Sequence, residues 1–379
     1  MKITLGGIVV VLSCLPSLGC GGNNSSIPDA GGDADTDADS DADTDADADT
    51  DTDTDTDTDT DTNSDAGTPP DCVRYVDIDV PSSGEGLTWS DAFNSVQNGI
   101  NAAFEETLSG GQCQVWVAEG VYYIYESSKS DTVKLRQTVS VYGGFQGDET
   151  FLDERDWEAY PTVLDGHEYE ESENQVYHVV SASLDNGGRL DGFTVTGGNA
   201  DMDGDIPNDR GGGILLSRAN IIIANCTISE NSAVWNAGIS NNESSPLIEN
   251  CTIKDNSALY GGGGIANQEN APTITGCVFE RNSADWGGGI VNLTQSSPTI
   301  TNCVFWDNSA TQGGGLANYK ECDSERVNCT FTRNQSDSGG AIFNYENSNP
   351  VVANSILWNN FPGEIYDSFD GTTSFRYRM

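Results

Sequence analysis

CVFERNSADWGGGIVN, residues 277–292, stands between two near-copies of itself, CTIKDNSALYGGGGIAN at 251–267 and CVFWDNSATQGGGLAN at 303–318. Aligned on cysteine, the series runs Cys226, Cys251, Cys277, Cys303 and Cys329 in steps of 25, 26, 26 and 26, and Ser355 continues it. Asn231, Asn256, Asn282, Asn308, Asn334 and Asn360 repeat in a second register. The apolar residue after the glycines forms a third (Ile214, Ile239, Ile265, Ile290, Leu316, Ile342), and Asn241, Asn267, Asn292, Asn318 and Asn344 a fourth. Pro246, Pro272, Pro298 and Pro350, each shortly before an aliphatic residue, form a fifth. Registers that stay in phase through successive units define an internal repeat.

Each unit holds three short alternating stretches, such as Cys277-Val278-Phe279, Gly289-Ile290-Val291 and Thr299-Ile300-Thr301, separated by Asn, Ser, Gly and Pro. β-Branched and aromatic residues at alternating positions predict strands, and no stretch is long enough for a helix. A unit this short cannot bury its own apolar side. Coiled so that each turn stacks on the last, it pairs its strands in parallel and joins the apolar registers into one interior. The fold class is therefore all-β, a parallel β-helix with three short strands per rung. Rungs lie about 4.8 Å apart, so equal residues stack into ladders. Stacked Asn side chains can hydrogen-bond one to the next, and glycine permits tight bends. The cysteine ladder (Cys226, Cys251, Cys277, Cys303, Cys329) reads as small buried filler in the reduced state, because a one-dimensional file of sulfurs does not converge on a metal.

Outward from the repeat the composition changes. The chain opens MKITLGGIVVVLSCLPSLGC, with one cation, a short apolar run and then small residues, which reads as a signal peptide over 1–19. Ser17-Leu18-Gly19-Cys20 looks like a bacterial lipobox with Cys20 as the lipidated residue; Cys14 is a second candidate, and an ordinary cleaved signal is the alternative. Residues 29–65 carry 17 Asp and no cation, alternating with Ala, Thr and Ser. Nothing there offsets the ordering entropy, so 20–70 is expected to be a disordered linker after the lipidated cysteine. Fully stretched it would reach on the order of 170 Å. Residues 71–379 hold 43 acidic and 15 basic residues, a net of −28. That balance argues against nucleic acid or an anionic polysaccharide held through charge alone. The expected organisation is a cap with the first rungs over 71–190, then the repeat-bearing β-helix with its C-terminal cap over 191–379.

Phe279-Glu280-Arg281-Asn282, Phe305-Trp306-Asp307-Asn308, Phe331-Thr332-Arg333-Asn334 and Gly339-Gly340-Ala341-Ile342 resemble the F-x-x-N and G-G-A-I marks of the chlamydial polymorphic outer-membrane protein repeat. Tyr75-Val76-Asp77, Thr88-Trp89-Ser90-Asp91-Ala92-Phe93, Val115-Trp116-Val117-Ala118-Glu119-Gly120-Val121-Tyr122 and Val141-Tyr142-Gly143-Gly144-Phe145 resemble bacterial choice-of-anchor, right-handed β-helix surface proteins. The resemblance spans nearly all of 73–360. It implies a right-handed, pectate-lyase-like coil held at the cell envelope, in the outer membrane or at the surface of a Gram-negative bacterium. It also implies a capping helix at the start of the coil, with Ser90 as its cap and Ala92, Phe93, Val96, Ile100, Ala103 and Phe104 on its apolar face. Cys72 and Cys113 fall outside the ladder beside strands expected to be early neighbours, where an oxidising compartment allows them to pair. In the irregular segment around Cys322, Arg326 takes the column of Ile300, so a bulge or outward loop is expected.

Related coils host polysaccharide lyases and hydrolases, but this chain has two histidines, His167 and His178, and few cations along the repeats. Asp165-Gly166-His167 lacks companion carboxylates and reads as a solvated turn. The insertion from Asn199 to Asp209 places Asn199, Asp201, Asp203 and Asp205 at the alternate spacing of a calcium loop, with Arg210 where the closing Glu belongs. Ca²⁺ is thus the one candidate cofactor. Trp235, Tyr260 and Trp286 form a column before the glycines, either covering the corner backbone or forming a platform for a sugar or partner. The expected function is a non-catalytic lipoprotein presenting a rod for glycan or envelope contact; a polysaccharide-degrading enzyme and a purely architectural protein are the alternatives.

Overall fold

The computed structural model describes residues 72–375, apart from 170, 185, 203 and 369, together with Lys2–Leu5 and Ile8–Val11. Cys14, Cys20 and the whole of the acidic linker lie outside the described residues. From Val73 onward the chain winds into a parallel β-helix in which every rung pairs with the next. Thr299 lies opposite Thr273 and Glu325, Phe279 opposite Ile253 and Phe305, and Ile290 opposite Ile265 and Leu316. Along one rung the strands are Val278–Glu280, Ser283–Trp286, Ile290–Leu293 and Thr299–Thr301, belonging to what we call sheets 1, 2, 3 and 4. Sheet 2 is an addition to the three strands expected. Its strands run from Asn199–Ala200 to Ser309–Gln312, and single bridges at Gln335 and Phe361 carry the pairing on beyond them.

The interior follows the registers. Phe279, Phe305 and Phe331 stack at 4.6 and 4.3 Å with nearly parallel rings. The five ladder cysteines are buried and free. Asn256, Asn282 and Asn308 are fully buried, each donating its Nδ2 to the Oδ1 of the next Asn at 3.0, 3.0 and 2.9 Å. The corners belong to the preceding residues, Asp255, Arg281, Asp307 and Arg333, which hold φ between 52° and 60°. Glycine is needed at Gly288, where a Cβ would meet the Gly314 carbonyl at 2.5 Å.

The start of the coil is closed by helix α1, Val96–Thr107, whose buried Val96, Ile100 and Ala103 join the main core. The helix begins later than expected. Trp89–Asp91 is a single 3₁₀ turn, Ser90 does not cap α1, and Ser95 occupies the N-cap position without a side-chain bond. Ala92 and Phe93 still contribute apolar packing, but from extended chain that pairs with Val76. Val73–Val76 pairs with Cys113–Ala118, which brings Cys72 and Cys113 to a Cα separation of 4.8 Å in a disulfide. At the other end Ile8–Val11 pairs antiparallel with Ile356–Trp358.

The irregular rung does not bulge. Glu325–Val327 stays in register with Thr299–Thr301 and Val351–Ala353, so Arg326 points inward and is fully buried, as is Cys322. Backbone pairing on both sides of the strand outweighs the preference of one side chain for water. Arg326 Nη2 donates to Ser324 Oγ at 2.6 Å, and Ser324 donates to Asn318 Oδ1 at 3.1 Å.

Candidate functional site

Alternation along sheet 3 sets Ile290 and Asn292 inside and Val291 and Leu293 outside. The outer column nevertheless is buried: Ala266, Val291, Ala317 and Phe343 are each at most 3 % exposed. The cover comes from aromatic side chains packed on the outside of the coil, Trp286, Tyr319 and Tyr345, together with Leu293. Sheet 2 supplies Trp286 because the glycine run turns it back toward the outer face of sheet 3.

The rings form a continuous trail. Trp235 lies 5.0 Å from Tyr260 and 5.8 Å from Trp286, although Tyr260's rung lies between them. Trp286 meets Tyr319 at 5.2 Å, Tyr319 meets Tyr345 at 5.4 Å, and Phe343 stacks on Tyr366 at 5.6 Å. Tyr260 is 38 % exposed and Tyr366 48 %, so the trail is open to solvent at both ends of its course. Offset and tilted contacts at these distances are favourable ring geometries. The Tyr319 hydroxyl donates to Gln312, and burial, with Asp285 and Tyr345 adding to it, pushes its phenol above the ordinary range. The column Trp235, Tyr260 and Trp286 is thus brought together. Tyr319, Phe343, Tyr345 and Tyr366 were not singled out in the sequence, although the residue after each ladder Asn becomes Tyr at 319 and 345.

The other candidates disperse. Asn199 Oδ1 accepts from Ser232 Oγ, Asp201 pairs with Lys129 at 2.8 Å, and Asp205 accepts from Asn208 Nδ2. These three groups are engaged with different protein partners. Asp203 lies outside the described residues. Among the described residues no group of three His, Cys, Asp or Glu is placed to hold a metal. Asp165 accepts from the His167 backbone N–H and pairs with its Nδ1 at 2.6 Å, while Nε2 meets the Gln175 side chain. His178 is buried against the Gly211 carbonyl, and burial holds it below its ordinary pKa. A polar cleft beside α1 is spanned by Gln97, whose Oε1 accepts from Lys134 N at 2.7 Å.

The family described as right handed beta helix region matches residues 168–305 and 260–376, together more than half of the chain. A crystal structure of pectate lyase Pel9A aligns over 81 % of this chain and 80 % of its own, at 11 % identity and a TM-score of 0.48. The pectin methylesterase of Aspergillus niger aligns over 81 % of this chain and 87 % of its own, at 11 % identity and a TM-score of 0.33. No curated protein matches the chain.

Proposed function

The chain belongs to the right-handed β-helix family, and from that premise we propose that it is a non-catalytic envelope protein whose rod contacts a glycan through the aromatic trail outside the coil. What supports the reading is the continuity of that trail from Tyr260 through Trp235 and Trp286 to Tyr319. Rings that served only to cover the backbone and the outer column of sheet 3 would not need to leave Tyr260 open to water. Partly exposed aromatic surface rimmed by polar groups is characteristic of contact sites. In this reading Cys20 carries a lipid anchor in the cell envelope of a Gram-negative bacterium, and the acidic segment separates anchor from rod.

A glycan array, combined with a release assay on neutral and acidic polysaccharides, tests the platform. Trp286→Ala is expected to abolish glycan binding, whereas Trp286→Phe, which keeps a ring over sheet 3, is expected to retain it. A variant that melts lower and binds as before would return the rings to a covering role. New reducing ends or unsaturated products would replace this reading by a degradative one.

A further inference from the structure

We infer that the trail selects a glycan bearing free, protonated amino groups, with Asp285 as the counter-charge at its rim; this rests on the platform reading above. Asp285 lies in Ser283–Trp286, next to Trp286 in the chain. Alternation sets its side chain on the opposite face of that strand from Trp286, and it is half-buried there. Among the described residues its carboxylate has no hydrogen-bond or ion-pair partner. The neighbouring cations are engaged elsewhere: Arg281 in the same rung chelates Asp255 at 2.7 and 2.8 Å, and Arg210, bridged to Trp235, pairs with Asp209 at 2.8 Å. The Asp285 charge also reaches the Tyr319 phenol, which it helps to hold in its neutral form.

An unengaged carboxylate beside open aromatic faces is the arrangement that recognises an organic cation, which gains from ring quadrupole and carboxylate together. The net charge of −28 over 71–379 works in the same direction and repels acidic glycans. A sugar polymer fits better than a basic peptide because the rings run from rung to rung along the coil. Amides flank them in the outer column of sheet 3, at Asn242 and Gln268, where hydroxyl groups can be met.

Glucosamine oligomers and their N-acetylated counterparts, titrated against the full chain at mildly acidic pH and read by tryptophan fluorescence, test the assignment. The free amines are expected to bind about five-fold more tightly. Asp285→Asn should bring the two to parity without changing the melting temperature or the affinity for the acetylated oligomer. Trp286→Ala should abolish both, and Trp286→Phe, which keeps a ring, should retain both. Equal binding by the parent chain, or a preference that survives Asp285→Asn, overturns the charge assignment and leaves the platform standing. Binding of neither oligomer overturns the platform itself. Polylysine binding that depends on Asp285 more strongly than glucosamine binding does would reassign the surface to a basic peptide.

Discussion

Arg326 fills the position held by Ile274, Ile300 and Val352 in neighbouring rungs. Three departures meet in its rung: Cys322 stands in the column of Ser296 and Ser348, Ser324 in the proline column, and Arg326 in the aliphatic column. They are linked, since Ser324 receives the guanidinium and passes a hydrogen bond to Asn318. The link is incomplete, for Arg326 Nε and Nη1 are buried without a partner. Burial pushes the guanidinium down to about 10, so it remains charged at neutral pH. A buried cation without a carboxylate costs more than a methylene chain of similar length. Arg326→Met is therefore expected to stabilise the rod by ~1–4 kcal/mol in urea or thermal unfolding. A lower midpoint would mean that the guanidinium contributes an interaction beyond the Ser324 bond.

At the scale of the element, the Asn ladders are directional. Each amide donates toward the C-terminal rungs, and both ladders end on a carboxylate. Asn360 Nδ2 donates to Glu364 at 2.5 Å, and Asn344 Nδ2 donates to Asp367 at 2.7 Å. Aligned amide dipoles with an acid at the donor end follow the same electrostatic logic as an acid at a helix N-terminus. Within a ladder every member also satisfies backbone: Asn282 Oδ1 accepts from Asn256 N and its Nδ2 donates to the Ile253 carbonyl. Removing it strands both groups in a dry interior. Asn282→Ala should lose roughly 2–5 kcal/mol by chemical denaturation. Asn360→Ala strands an equivalent pair at the end of the ladder, where water can replace the amide, and should lose no more than half as much. Equal losses would show that the ladder end is as dry as its middle.

At the scale of the whole molecule, sheet 4 contains eleven strands, which at about 4.8 Å spacing make a rod roughly 50 Å long. One core runs through it from Val76 to Leu357. The capped end is reinforced by the Cys72–Cys113 disulfide, which closes a separation of 41 residues and by loop entropy contributes about 4 kcal/mol. Gly99 lets α1 lie against the first strand, since a Cβ there would meet Val76 at 2.5 Å. A rod of this kind acts at a surface only if it is held there. Cys20→Ala, expressed in a Gram-negative host, should move the chain from the membrane fraction to the soluble fraction and abolish incorporation of labelled fatty acid. Membrane retention without labelled lipid would place the anchor elsewhere.

The coil, its period and the identity of its interior were legible in the sequence alone. In a parallel stack, residues one period apart become neighbours, so a periodic text states its own contacts; Cys277, Phe279 and Ile300 needed no coordinates, whereas the Asn282 ladder was legible as a ladder but belongs inside the coil and not at its corner. What only the tertiary structure decided depends on directions that alternation does not encode. The glycine corner turns sheet 2 back toward sheet 3, and that turn brings Trp286 to Tyr319. The shared hydrogen-bond ladder on both edges of Glu325–Val327 holds Arg326 inward against its own solvation. Local pattern specifies which face of a strand a side chain occupies, whereas the angle between faces, and the winner when backbone pairing opposes a charge, emerge only when all the rungs are assembled.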